Sequence, residues 1–189
     1  MAQYYGLVTV DISSFAAFRN EVLGNGYDVD GVYGDQCVDM AKLLAGNAGR
    51  AFPYWKSDPD GVAYEGWTIL SNREYNAADY FTLVYNREDV RTGDLVVINN
   101  TTSNPNGHIA FATSDWDSNT YFAVLLGQNQ EFPNTTTGHP NTETMINVTT
   151  FLGAFRFNAW QQPVPPTPDI KRNHRFPWVL YARKFRTIR

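Results

Sequence analysis

Asp28-Val29-Asp30-Gly31-Val32-Tyr33-Gly34-Asp35-Gln36-Cys37-Val38-Asp39 is an acidic loop that runs into Cys37, the one cysteine of the chain. Behind it, Val38, Met40, Ala41, Leu43, Leu44 and Ala45 make an apolar run that reads as a short helix stopping near Gly46. Cys37 then stands at a helix N-terminus. A lone thiol forms no internal disulfide, so it serves either packing or reactivity. A small buried core residue is the first reading, since free cysteine is among the most buried types. A nucleophile is the second, because unpaired N–H groups and the helix dipole favour a thiolate there.

The loop carries a pattern of its own. Asp28, Asp30 and Asp39 occupy positions 1, 3 and 12 of a twelve-residue stretch, where calcium loops place side-chain carboxylates. Val32 and Gly34 fall at positions 5 and 7, the second of which supplies a backbone carbonyl in such loops. Glycine stands at position 4 instead of 6, and position 12 is Asp in place of Glu, so this is not a standard EF-hand. Three hard-oxygen donors suit calcium and need a cation against their mutual repulsion. The competing reading is a solvated acidic turn.

Further along, Gly107-His108-Ile109-Ala110-Phe111-Ala112-Thr113 alternates as a strand. His108, Ala110 and Ala112 share one face, whose small residues leave room for a substrate above His108. Tyr121 to Leu126 is a second strand, ending in Gly127-Gln128-Asn129. A tight turn at Ser118-Asn119 makes the two a hairpin that sets His108 opposite Asn129; a slip of one residue brings Gln128 level instead. Cys37, His108 and Asn129 thus supply a nucleophile, a base and an amide able to orient the base.

These pieces resemble a CHAP domain, one of the cysteine- and histidine-dependent amidohydrolases and peptidases of the papain-like superfamily. The resemblance rests on Asp28-Val29-Asp30-Gly31 leading to Gln36-Cys37-Val38-Asp39, then Gly93-Asp94-Leu95-Val96-Val97, Gly107-His108-Ile109-Ala110 and Gly127-Gln128-Asn129, in the family's order. Many members carry Glu two residues before the Asn, where this chain has Gly127, so a Cys-His-Asn set fits better than Cys-His-Glu. The resemblance implies that Cys37 attacks an amide carbonyl, His108 shuttles the proton and Asn129 orients the imidazole. The oxyanion would be held by the Cys37 N–H and the Gln36 side chain. It also supports structural calcium on Asp28, Asp30 and Asp39, with the carbonyls of Val32 and Gly34. The implied substrate is bacterial peptidoglycan, cut by an endopeptidase in preference to an N-acetylmuramoyl-L-alanine amidase, as in phage endolysins and virion-associated lysins. A non-catalytic wall-binding or virion structural protein that keeps the fold is the alternative.

The rest of the chain frames this reading. Ser13 or Ser14 caps a helix over Phe15 to Leu23, which Gly24 and Gly26 end. Residues 47 to 92 read as irregular with short helical pieces. Their aromatics, Phe52, Tyr54, Trp55, Tyr64, Trp67 and Tyr75, either pack that segment onto the core or line a groove. Strand signals cluster over 94–98, 109–113, 121–126, 145–148 and 152–157. Helices first and strands afterwards predict an α+β fold, N-terminal helices on an antiparallel sheet, and the resemblance makes it papain-like.

The chain of 189 residues, 43% apolar, suffices for one domain, expected over residues 1–160. Residues 161–168 form a proline-rich linker, and residues 169–189 a basic, aromatic segment. That segment holds seven Lys and Arg against Asp169 alone, a balance of +6 that leaves −10 on residues 1–168. Anionic wall polymers, a partner protein or the acidic body of the chain itself are its candidate contacts. No apolar run is long enough to span a membrane, and nothing points to a nucleic-acid partner. The N-terminus lacks the charged and apolar regions of a secretory signal. With the resemblance, this places the protein in the host cytoplasm before release to the wall, or in the virion. His139 and His174 show no ligand spacing with Cys37, so zinc is not expected.

Overall fold

The computed structural model describes residues 2–49, 63–67, 80–117, 119–130 and 138–161. The N-terminal part holds β1 (Gln3–Tyr5), α1 (Phe15–Val22), β2 (Gly26–Asp28) and α2 (Cys37–Asn47). Then come β3 (Phe81–Val84), β4 (Leu95–Ile98), β5 (His108–Ala112), β6 (Phe122–Gly127), β7 (Thr142–Asn147) and β8 (Phe151–Phe157). Helices first and an antiparallel sheet afterwards make the α+β fold that the pattern predicts.

Ser14 is the cap of α1, its hydroxyl accepting the Ala17 N–H at 3.1 Å. Phe15, Phe18 and Val22, at the helical period, bury one face of α1. α2 ends at Asn47, one residue past Gly46, as the sequence reading expects. A Cβ at Gly46 would lie 2.6 Å from Leu7 Cδ1, so the missing side chain is where the N-terminal segment packs.

The six-stranded sheet has the order β3-β8-β4-β5-β6-β7, with every neighbouring pair antiparallel. Its strands are short, and alternation sends side chains to two apolar clusters. Leu95, Val97, Ile109, Phe111, Leu126, Phe155 and Phe157 face the helices, meeting Phe18, Met40, Leu43 and Leu44. Val96, Ile98, Ala110, Ala112, Leu125 and Ala154 form the second cluster with Val84, Val90 and Val148. The small-residue face of β5 is therefore filled core, not open space for a substrate. β6 comes close to this face at Ala110: a Cβ on Gly127 would lie 2.8 Å from Ala110 Cβ.

Three strands escape the sequence reading. β1 and β2 are three-residue pieces that pair in parallel, too short for alternation to show. β3 lies within the stretch read as irregular and joins the sheet through β8. Among the aromatics of that stretch, Trp67 packs its ring on Phe155 and Tyr85. Phe52, Tyr54, Trp55 and Tyr75 lie outside the described residues, as do residues 162–168 of the linker and the whole of 169–189. No helix among the described residues is long and apolar enough to cross a membrane.

Candidate active site

The acidic loop leaves β2 at Asp28 and ends inside α2 at Asp39, and its carboxylates hold its shape. Asp28 Oδ1 accepts the Gly31 N–H at 2.8 Å, and Asp30 Oδ1 accepts the Val32 N–H at 2.9 Å. Asp39 accepts the Val29 N–H with one oxygen and the Gln36 N–H with the other, at 3.1 and 3.0 Å. The second of these caps the helix reciprocally, since Gln36 is its N-cap. Tyr33 at φ 64° and Gly34 at φ 70° turn the chain sharply just before the helix.

Asp28, Asp30 and Asp39 each offer an oxygen within 4.8 Å of the others. That cluster of hard donors fits a calcium ion. Burial pushes the Asp39 carboxyl up to about 7; Lys42 pulls it down and Asp30 pushes it further up. Lys42 also pairs with Asp30 through Nζ and Oδ2, so a side-chain cation already stands against the cluster.

Gln128 ties this loop to the sheet. It is fully buried, and its Oε1 accepts the Tyr27 N–H at 2.6 Å. Its Nε2 donates to the carbonyls of Tyr27 and Gln36, both at 2.9 Å. One amide thus pins the start of the loop and the residue before Cys37 to the end of β6. Asn129, in the left-handed region at φ 53°, donates from Nδ2 to Gln36 Oε1 at 2.9 Å. The Gln36 amide nitrogen donates to the Tyr33 carbonyl at 2.6 Å.

Cys37 is partly buried at the first residue of α2, as the helix reading expects. The N–H groups of Ile109 and Val38 favour its thiolate, and burial opposes them. The Ile109 N–H points away from β4 for a topological reason. Gly93 donates to the Ala112 carbonyl and Ala112 to the Asp94 carbonyl, both at 2.8 Å, turning the Ala112 peptide groups away from β6. Alternation then turns Ile109 towards β6. There the pairing covers Phe111↔Leu126 and Ala112↔Leu125, and Gln128 leaves to hold Tyr27. Cys37 packs against the apolar cluster that includes Ile109, the residue next to His108.

The register at Phe111↔Leu126 and Ala112↔Leu125 is the one that the hairpin reading expects, and β6 ends at Gly127, before Asn129. The side chains partner differently. The hydrogen bond on the His108 ring comes from Gln130, whose Oε1 lies 3.4 Å from Nε2, while the Asn129 amide serves Gln36. Burial pulls the His108 imidazole down to about 4, and it pushes the Cys37 thiol up to about 11 against the pull of the Ile109 N–H. Desolvation thus works against the thiolate–imidazolium pair that a helix N-terminus favours. Gln130 is the residue of this site that the sequence reading does not single out, and Gln128 enters that reading only as an alternative level with His108. A run of polar residues closing a buried strand is the signal that points to them.

The comparisons bear on fold first. The endolysin LysIME-EF1 superposes with a TM-score of 0.57 at 24% identity, over 78% of this chain and 64% of its own. At that identity the likeness speaks for a shared α+β fold. The D-alanyl-L-alanine endopeptidase of Streptococcus phage B30 is 27% identical over 169 residues, 86% of this chain and 34% of that protein. The chain therefore spans about a third of the curated relative and just under two thirds of the solved one. No family model matches.

Proposed function

We propose that this chain is a thiol-dependent peptidoglycan hydrolase of the CHAP type, an endopeptidase acting in a phage lysin. The observation that carries the reading is Cys37 as the first residue of α2, packed against the cluster that holds Ile109, the residue after His108 at the start of β5. Similarity to a phage endopeptidase and to an endolysin supports the substrate class. In this reading the Cys37 thiol gives its proton to His108 as the sulfur attacks the peptide carbonyl carbon. His108 returns the proton to the leaving amine and then activates the water that hydrolyses the thioester. The Cys37 N–H and a Gln36 amide hydrogen stabilise the oxyanion. Asn129 acts through Gln36, orienting its amide.

Calcium in this reading is structural. Asp28, Asp30 and Asp39 would hold it, with carbonyls of Val32 and Gly34, and bound calcium supplies positive charge that closes the loop delivering Cys37. Its test needs no activity. Added calcium raises the melting temperature of the wild type by about 5–10 °C at saturation, and Asp30→Asn removes the rise. An identical melting curve in calcium and in chelator would remove the metal.

Zymography on bacterial walls tests the hydrolase. Wild type clears the gel and Cys37→Ala, equally folded by circular dichroism, does not. Clearing by the alanine variant overturns the nucleophile, and binding without clearing by the wild type favours a wall-binding protein.

A further inference from the structure

We propose that Gln130 is the positioning residue that fixes the tautomer of His108. Gln130 is buried, and both hydrogens of its amide are committed: Nε2 donates to the Leu125 carbonyl at 2.8 Å and to the Thr142 carbonyl at 2.7 Å. Those two acceptors decide which way round the amide lies. Its Oε1 therefore faces the ring, 3.4 Å from His108 Nε2. An amide oxygen only accepts, so Nε2 has to carry the proton, and Nδ1 is left as the basic nitrogen of a neutral imidazole.

Gly127 packs directly against this amide. A Cβ there would stand 2.8 Å from Ala110 Cβ, too close to keep, and at contact distance, 3.4 Å, from Gln130 Cδ. The carboxylate that resembling proteins carry at that position is replaced by an amide reaching in from three residues later. A neutral acceptor orients the ring without adding a negative charge to it. The assignment rests on the hydrolase reading for its catalytic consequence, since the Nε2–H tautomer is the one whose Nδ1 takes the thiol proton. The tautomer itself does not depend on that reading.

The experiment uses the full chain with ¹⁵N-labelled histidine. Imidazole nitrogen shifts are read at neutral pH for wild type, Gln130→Leu and Gln130→Glu, with kcat and KM on a cell-wall peptide alongside. His108 in the wild type shows a protonated Nε2 and a bare Nδ1, and Gln130→Leu mixes the tautomers. In parallel kcat falls about 10- to 100-fold in Gln130→Leu with KM little changed, as expected for a misdirected general base, and Gln130→Glu, whose carboxylate has no hydrogens for the Leu125 and Thr142 carbonyls, does not restore the wild-type kcat. A bare Nε2 in the wild type overturns the proposal, as does a tautomer unchanged in a folded Gln130→Leu. If Gln130→Leu fails to fold, the wild-type spectrum decides. A wild type that holds Nε2–H yet cuts no wall peptide overturns the hydrolase reading and leaves Gln130 in its role.

Discussion

Gly127 and Gln130 form one unit, and a substitution at either is read through the other. Placing Glu at 127, as resembling domains do, drives a side chain against Ala110 and into the Gln130 amide. Gly127→Glu is expected to lose roughly 1–3 kcal/mol from overpacking alone, read as a lower urea midpoint. Adding Gln130→Ala to it recovers part of that loss, because the space is given back. A Gly127→Glu protein as stable as its parent would show that the two side chains do not compete. Gln128 belongs to the same short run and does a different job: its amide satisfies both backbone groups of Tyr27, so it holds the Cys37 loop in place without touching the reacting atoms.

Between elements, charge pairs differ in what they hold. Arg156 in β8 grips Asp94, just before β4, with Nε and Nη2 at 2.9 and 2.7 Å, and Asp94 also accepts the Arg91 N–H at 2.8 Å. Asp94 is almost wholly buried. The Gly-Asp step before β4 is thus a structural lock between two central strands. Arg19 on α1 pairs with Glu143 on β7 with both side chains partly in water. Asp94→Asn should cost about 3 kcal/mol, for it leaves a guanidinium half-paired in the interior. Glu143→Gln should cost about 0–1 kcal/mol, since exposed pairs contribute little. Equal losses in chemical denaturation would contradict this ranking.

For the molecule as a whole, the buried imidazole links stability to acidity. His108 takes its proton near 4 in the fold, against an ordinary value of 6.5. Between those values the unfolded chain binds more protons, so the contribution is complete above 6.5 and is lost as pH falls towards 4. Its size is on the order of 3 kcal/mol. Unfolding free energy measured from pH 7 to 4.5 should fall less steeply in His108→Gln than in the wild type, and parallel curves would place the ring in water. The N-terminal segment is tied to the far end of the sheet by Trp160, whose Nε1 donates to the Ile12 carbonyl at 2.9 Å and whose ring packs on Phe15 and Phe18.

Local pattern was enough for much of this protein. The cap at Ser14, the helix starting on Cys37, the alternation of β5 and the hairpin register between β5 and β6 were legible because each depends on near neighbours in sequence. The acidic spacing marked three carboxylates that do converge. Which side chain meets which was decided by tertiary structure alone. Three-residue strands have no period to read, and the small-residue face of β5 looks open until the second apolar cluster covers it. Asn129 and Gln130 are both amides at the end of one strand; only the backbone carbonyls of Leu125 and Thr142, and the space left by Gly127, send Gln130 and not Asn129 to the imidazole.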